Sequence, residues 1–145
     1  MNKMELKFNS SLCNEALARS AVLAFVQSLN PTMEDICDLK TIVAEAVSNA
    51  IIHGYHLDPN QMVTIQAMSE GEELFLLIID QGEGIENIEE ASRPNFTTRP
   101  DLERAGMGIP IMQSLSDDCT ILSKIGEGTT VQIRKTIHSK ATSHA

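Results

Sequence analysis

Residues 73–85 read Glu73-Leu74-Phe75-Leu76-Leu77-Ile78-Ile79-Asp80-Gln81-Gly82-Glu83-Gly84-Ile85. Six consecutive apolar residues between two acids predict a strand over 73–80 that is apolar on both faces and therefore central in its sheet. Upstream, Val63, Ile65 and Ala67 alternate over 62–68, and Ser69-Glu70-Gly71-Glu72 joins the two runs as a hairpin. Residues 4–9 alternate in the same way and predict a first strand. Strands over 119–124 and 129–136, joined by Gly126-Glu127-Gly128, are predicted to close the domain.

Helical spacing fills the intervals. Over 12–29, Leu12, Ala16, Leu23 and Val26 form one stripe and Ala18, Val22, Phe25 and Leu29 another. Arg19 falls within the first stripe, which suits a surface facing a partner or a side chain reaching water along its own stem. A second helix opens at Thr32, with Asp35 spaced as the acidic half of a capping box, and runs to His53 before the stop at Gly54. Its core stripe is Ile36, Leu39, Val43, Val47 and Ala50. Glu45 and Asn49 share the opposite side, and their small apolar neighbours predict that this side is covered too. A third helix is expected over about 108–116. His53 is read as helix-end packing.

The composition bounds the function. The 145 residues are 42% hydrophobic and 21% charged, which suits one globular domain, predicted over 1–137, with a flexible tail over 138–145. Eleven Lys and Arg against twenty Asp and Glu leave a net charge of −9, so a nucleic-acid duplex or an anionic membrane would be repelled. The longest apolar runs, six residues each as in Leu74–Ile79, are too short to span a bilayer. The first residues contain no apolar signal segment, which predicts a cytoplasmic location. Cys13, Cys37 and Cys119 are too far apart for a C-x-x-C pair and are expected to be reduced thiols.

Residues 81–107 are irregular, with Gly82, Gly84, Pro94, Pro100 and Gly106 and one short helical hint over 85–91. A loop of this length inside a compact domain is usually functional. It gathers Arg93, Arg99 and Arg104. Gly106 and Gly108 flank a helix start, where free N–H groups and the positive dipole end favour phosphate oxygens. Asp80 is an acceptor suited to an exocyclic amine such as that of adenine, with Gly82 and Gly84 leaving room for a flat base. Asn49 offers an oxygen to Mg²⁺, and Glu45 is placed to take a proton from an attacking hydroxyl or water. Neither a G-x-x-x-x-G-K-[ST] loop nor a strand-linked G-x-G-x-x-G is present, which disfavours the two commonest nucleotide sites.

Taken in order, Glu45…Asn49, Asp80-Gln81-Gly82-Glu83-Gly84-Ile85, Gly106-Met107-Gly108 and Gly128-Thr129-Thr130 resemble the boxes of the ATPase superfamily of gyrase, the heat-shock chaperone ATPase, histidine kinases and the mismatch-repair ATPase. Residues 45–55 and 96–108 resemble, more narrowly, the anti-sigma serine kinases of spore-forming bacteria. The sporulation type is the nearer and the stress-response type the alternative. The fold class expected is α/β, a two-layer sandwich of a mixed, mainly antiparallel sheet with helices on one face and nucleotide under a mobile lid.

The resemblance implies a protein that binds and inhibits a sigma factor and, with Mg²⁺ and ATP, phosphorylates a serine of an anti-anti-sigma protein. Glu45 would be the general base and Asn49 the Mg²⁺ ligand. Asp80 would read the adenine amine, with Thr130 supporting it. Gly82, Gly84, Gly106, Met107 and Gly108 would shape the ATP or ADP pocket, and Arg104 would contact the terminal phosphate or the phosphoserine product. Glu15 and Arg19 would touch protein partners, and a homodimer is implied, with the first strand as the expected contact. The alternatives are a nucleotide-gated binding module without transfer and a bare ATP-hydrolysing domain.

Overall fold

A computed structural model describes residues 1–86 and 108–138. The helical hint over 85–91, from residue 87 on, and Arg93, Arg99, Arg104, Gly106 and Met107 lie outside the described residues, as does the tail beyond His138.

Five strands form one sheet. They are β1 (Asn2–Asn9), β2 (Met62–Glu70), β3 (Glu73–Asp80), β4 (Asp118–Lys124) and β5 (Gly128–Thr136), in the order β1-β2-β3-β5-β4. β3 takes the middle. Its Leu74, Leu76, Ile78 and Asp80 are buried, whereas Phe75, Leu77 and Ile79 are only half-buried on the other face. All four described pairings are antiparallel. β3 and β4 run in the same direction, but the β4–β5 hairpin folds β5 back between them, so no parallel ladder forms there.

The helices α1 (Glu15–Val26), α2 (Met33–Asn49) and α3 (Gly108–Leu115) cover one face. Val22, Leu39, Val43, Val47 and Met112 join Ile65, Leu76, Ile78 and Ile133 in a single core. The α1 stripes resolve differently from their spacing. Ala18, Val22 and Val26 are buried, while Leu12 is 48% exposed. Leu12 sits in a 3₁₀ turn, Leu12–Asn14, whose tighter winding puts it out of phase with the helix that follows. Arg19 is half-exposed, and its Nε donates to Glu15 Oε2 at 2.8 Å, one turn away.

Two long-range polar ties hold α2 to the end of the sheet. Lys135 is only 6% exposed, and its Nζ donates to the Leu115 carbonyl at 2.9 Å and to Asp38 Oδ2 at 3.3 Å. It thereby caps α3 and fixes it against α2. Asp35 completes the capping box with Thr32, and its carboxylate also accepts the His138 backbone N–H at 2.7 Å and faces His138 Nδ1 at 3.0 Å. Residue 138, the first of the expected tail, is therefore anchored.

Burial alone would raise the Asp35 carboxyl, but the hydrogen bonds from His138 and Thr32 outweigh it and hold its pKa below the ordinary value. The hydrogen bond to Asp35, and then the charge of Asp35, raise the pKa of His138. The aspartate's contribution is present above its ordinary pKa and is lost as pH falls through the lowered one. The histidine's contribution is present below its ordinary pKa and is lost as pH rises through the raised one. The tie is thus at full strength from roughly pH 4 to 6.5. Asp35→Ala is expected to cost about 2–3 kcal/mol in urea unfolding within that window. A loss below about 0.5 kcal/mol would show that the cap and the His138 contact do not stabilise the fold.

Candidate functional site

The exposed end of α2 carries the first half of the site. Glu45 and Asn49 are half-buried one turn apart, because the buried set of α2 runs through Ile42, Val43, Ala46, Val47 and Ala50 on its other side. Gly108, the first residue of α3, lies directly over them. A Cβ at Gly108 would stand 3.1 Å from Glu45 Oε2 and 3.3 and 3.4 Å from the Asn49 amide nitrogen and oxygen. A side chain here would press on both groups, and the glycine lets the start of α3 come this close without displacing them. The cover expected over Glu45 and Asn49 is therefore α3. Its first turn brings the positive dipole end of a helix to a carboxylate and an amide.

The second half is the end of β3. Asp80 is 6% exposed, and the backbone N–H groups of Gly82, at 2.9 Å, and Thr129 donate to its carboxylate. Burial pushes its pKa up, and those donors only partly offset the shift. Gly54 packs directly against this carboxylate, since a Cβ there would stand 2.8 Å from Asp80 Oδ1.

Two expectations need correction. Thr130 pairs with Ile79, and strand alternation puts it on the face away from the helices with the half-exposed Leu122. The residue opposite Asp80 is Thr129, whose hydroxyl is 2.7 Å from Ser123 Oγ. A one-residue difference along a strand exchanges faces, so the threonine on the same face as Asp80 is Thr129. The space at Gly82 and Gly84 is taken up by neighbouring backbone. A Cβ at Gly82 would strike the Gly54 carbonyl, and one at Gly84 the Lys124 carbonyl. These glycines let the loop nest against the end of α2 and the β4–β5 turn, where Glu83 N–H donates to the Gly54 carbonyl at 2.9 Å and Gly126 N–H to the Glu83 carbonyl at 2.8 Å.

The structure thus brings Glu45, Asn49 and Gly108 together, and separately Asp80, Gly82 and Thr129. The π-turn that follows α2, Ala50–Gly54, joins the two groups. Glu15 and Arg19 are paired to each other on α1, apart from both. Arg104, Gly106 and Met107 belong to the segment outside the described residues. Gly54, Tyr55 and Thr129 lay within the stretches quoted above but were given no role at the site, and Ser123 was not singled out.

The residues suit Mg²⁺ and an adenine nucleotide. The Asn49 amide oxygen beneath Gly108 is a hard oxygen donor of the kind Mg²⁺ takes one or two at a time when phosphates supply others, and the Glu45 carboxylate beside it is left as a proton acceptor. The buried acceptor at Asp80 matches an amine donor and no anion.

The sequence model of the family described as histidine kinase-like ATPase domain matches residues 8–135. The anti-sigma F factor of Anoxybacillus flavithermus is 51% identical over 134 residues, covering 92% of each chain. That of Geobacillus stearothermophilus is 46% identical over 141 residues, covering 97% of each. That of Clostridium acetobutylicum is 49% identical over 134 residues, covering 92% of this chain and 93% of its own. Among solved structures, the RsbU and RsbW domains of Rv1364c from Mycobacterium tuberculosis superpose with a TM-score of 0.69 at 16% identity, over 94% of this chain and 33% of that one. At that identity the likeness shows the fold.

Proposed function

The chain belongs to the anti-sigma F factor family of histidine kinase-like ATPase domains, and from that premise we propose that it binds and inhibits a sporulation sigma factor and phosphorylates a serine of an anti-anti-sigma protein with Mg²⁺ and ATP. The observation that carries the enzymatic part is the convergence of Glu45 and Asn49 beneath the start of α3, with a buried acid suited to adenine at the end of β3.

In this reading Asp80 accepts the adenine amine and Asn49 offers its amide oxygen to Mg²⁺, which would screen the phosphate charge. Glu45 takes the proton of the partner's serine hydroxyl as the serine oxygen bonds to the γ-phosphorus and the bond from that phosphorus to the β-phosphate oxygen breaks. ADP leaves as the product. Arg104 contacts the terminal phosphate or the phosphoserine, and Gly106 and Met107 extend the pocket. Glu15 and Arg19 form a partner-facing pair on α1. Incubation with γ-labelled ATP and the candidate anti-anti-sigma protein should yield labelled phosphoserine, and a lysate pull-down should retain a sigma factor more strongly with ATP than without. An absence of nucleotide affinity in calorimetry with Mg²⁺ present would overturn the reading.

The proposed homodimer has a specific register. β1 is an edge strand with Lys3, Glu5 and Lys7 alternating on one face. Two-fold antiparallel pairing centred on Leu6 sets Lys7 of each copy opposite the other copy's Glu5, and Met4 opposite Phe8. Pairing centred on Glu5 would set like charges opposite each other. Glu5→Lys should therefore shift light-scattering mass toward monomer, and Glu5→Lys combined with Lys7→Glu should restore the dimer. A monomeric parent chain, or a double variant no better than the single one, would remove this contact.

A further inference from the structure

We propose that the hydroxyl of Tyr55 is a positioning group for Asp80 and so governs which nucleobase the pocket accepts, an inference that rests on the nucleotide reading above. Tyr55 is the sole tyrosine of the chain. It follows a π-turn, Ala50–Gly54, closed by the Tyr55 N–H to the Ala50 carbonyl at 2.9 Å. A π-turn holds one residue more than an α-turn, and such insertions concentrate at functional sites. Here Gly54 faces the Asp80 carboxylate, while the Tyr55 ring lies in the core, 7% exposed. Positive φ at His56 and Leu57 then turns the chain away.

The hydroxyl occupies an unusual place. It donates to the Met62 carbonyl at 2.7 Å and accepts the Gln81 N–H at 2.6 Å. The β2–β3 pairing ends at Thr64 opposite Ile79. Continuing that register by two residues would set Met62 opposite Gln81. The tyrosine oxygen therefore stands where the next rung of the ladder would form, bonded to one strand on each side. It holds the strands apart by the width of a hydroxyl group at the residue that follows Asp80. The direction of the Asp80 carboxylate is then fixed from both sides, by Tyr55 through Gln81 and by the N–H groups of Gly82 and Thr129.

Without the hydroxyl, either the Gln81 N–H loses its acceptor or β2 and β3 close on each other and turn Asp80. A displacement of about 1 Å at a positioned polar group is enough to cost up to about a hundredfold. A carboxylate aimed at the base favours adenine, which presents an amine there, over guanine, which presents a carbonyl oxygen.

The test compares ATP and GTP affinities, each with Mg²⁺, in the full chain. Tyr55→Phe keeps the ring in the core and removes only the bridge. It should weaken ATP binding about tenfold or more with GTP binding little changed, so that the ATP-to-GTP preference contracts. A purely structural role would lower the melting temperature and weaken both nucleotides alike, and an unchanged ratio overturns the proposal. Should Tyr55→Phe not fold, Gln81→Pro deletes the other partner of the bridge and should contract the preference in the same way. Asp80→Asn serves as the control for the underlying reading. If it contracts the ratio and Tyr55→Phe does not, only the role of Tyr55 fails. If neither variant moves the ratio, the base does not lie at Asp80 and the nucleotide reading fails with it.

Discussion

Glu45→Gln is expected to slow phosphoryl transfer to the partner serine by about 10²- to 10⁴-fold, the range that a positioned general base contributes. The substitution keeps the size of the side chain and its place beneath Gly108, where a Cβ would stand 3.1 Å from Glu45 Oε2. It leaves Asn49 and Asp80 untouched, so ATP affinity should change by less than about threefold. What an amide lacks is the capacity to take the serine proton. The expected signature is therefore a fall in turnover with little change in nucleotide affinity, read from labelled transfer and calorimetry on the same preparation. Transfer undiminished in Glu45→Gln would take the proton-accepting role away from this residue. Sigma-factor capture that still depends on ATP, with no phosphoserine from the parent chain, would favour the nucleotide-gated binding module.

Features governed by local periodicity were legible in the sequence. The central place of β3 followed from its six-residue apolar run. The capping box of α2 followed from Thr32 and Asp35, and the shared side of Glu45 and Asn49 from their spacing of four. The features that escaped were set by partners distant along the chain. Asp35 reads as a helix cap, and nothing within α2 announces His138 as its second partner, 103 residues away. Thr129 and Thr130 are the same residue type side by side, and only the pairing of β5 with β3 decides which one faces Asp80. Tyr55 escaped for a different reason. The π-turn breaks the 3.6-residue period over the interval that would have placed it, and periodic reasoning carries no warning of an inserted residue. Gly82 and Gly84 were read as leaving room for a flat base, whereas the groups that approach them are the backbone of Gly54 and Lys124, distant along the chain.

Asp80→Asn should separate stability from function with opposite signs. Burial raises the Asp80 pKa above the ordinary aspartate value. A carboxyl that holds its proton more tightly in the folded chain adds stability below its unfolded pKa, and this is lost as pH rises through the folded one. Above that raised pKa the ionised, 6% exposed side chain is therefore a burden on the ligand-free fold. Asparagine carries no charge, and its carbonyl can still accept from Gly82 N–H, so the ligand-free variant should melt above the parent at pH 7. The gap should close below about pH 4, where the parent carboxyl is protonated as well. Saturating ATP should reverse the order. A charge-assisted hydrogen bond contributes about 1.5–3 kcal/mol, so its loss should weaken ATP binding by about 10- to 100-fold, and ligand stabilisation falls with affinity. GTP binding should improve, because the amide offers a donor toward the guanine carbonyl. Melting curves at pH 7 and pH 4, each with and without Mg²⁺ and ATP, test all of these signs. A variant less stable than the parent without ligand would mean that Asp80 is a structural acid, held for its bonds to Gly82 and Thr129, and an unchanged response to ATP would place the base elsewhere.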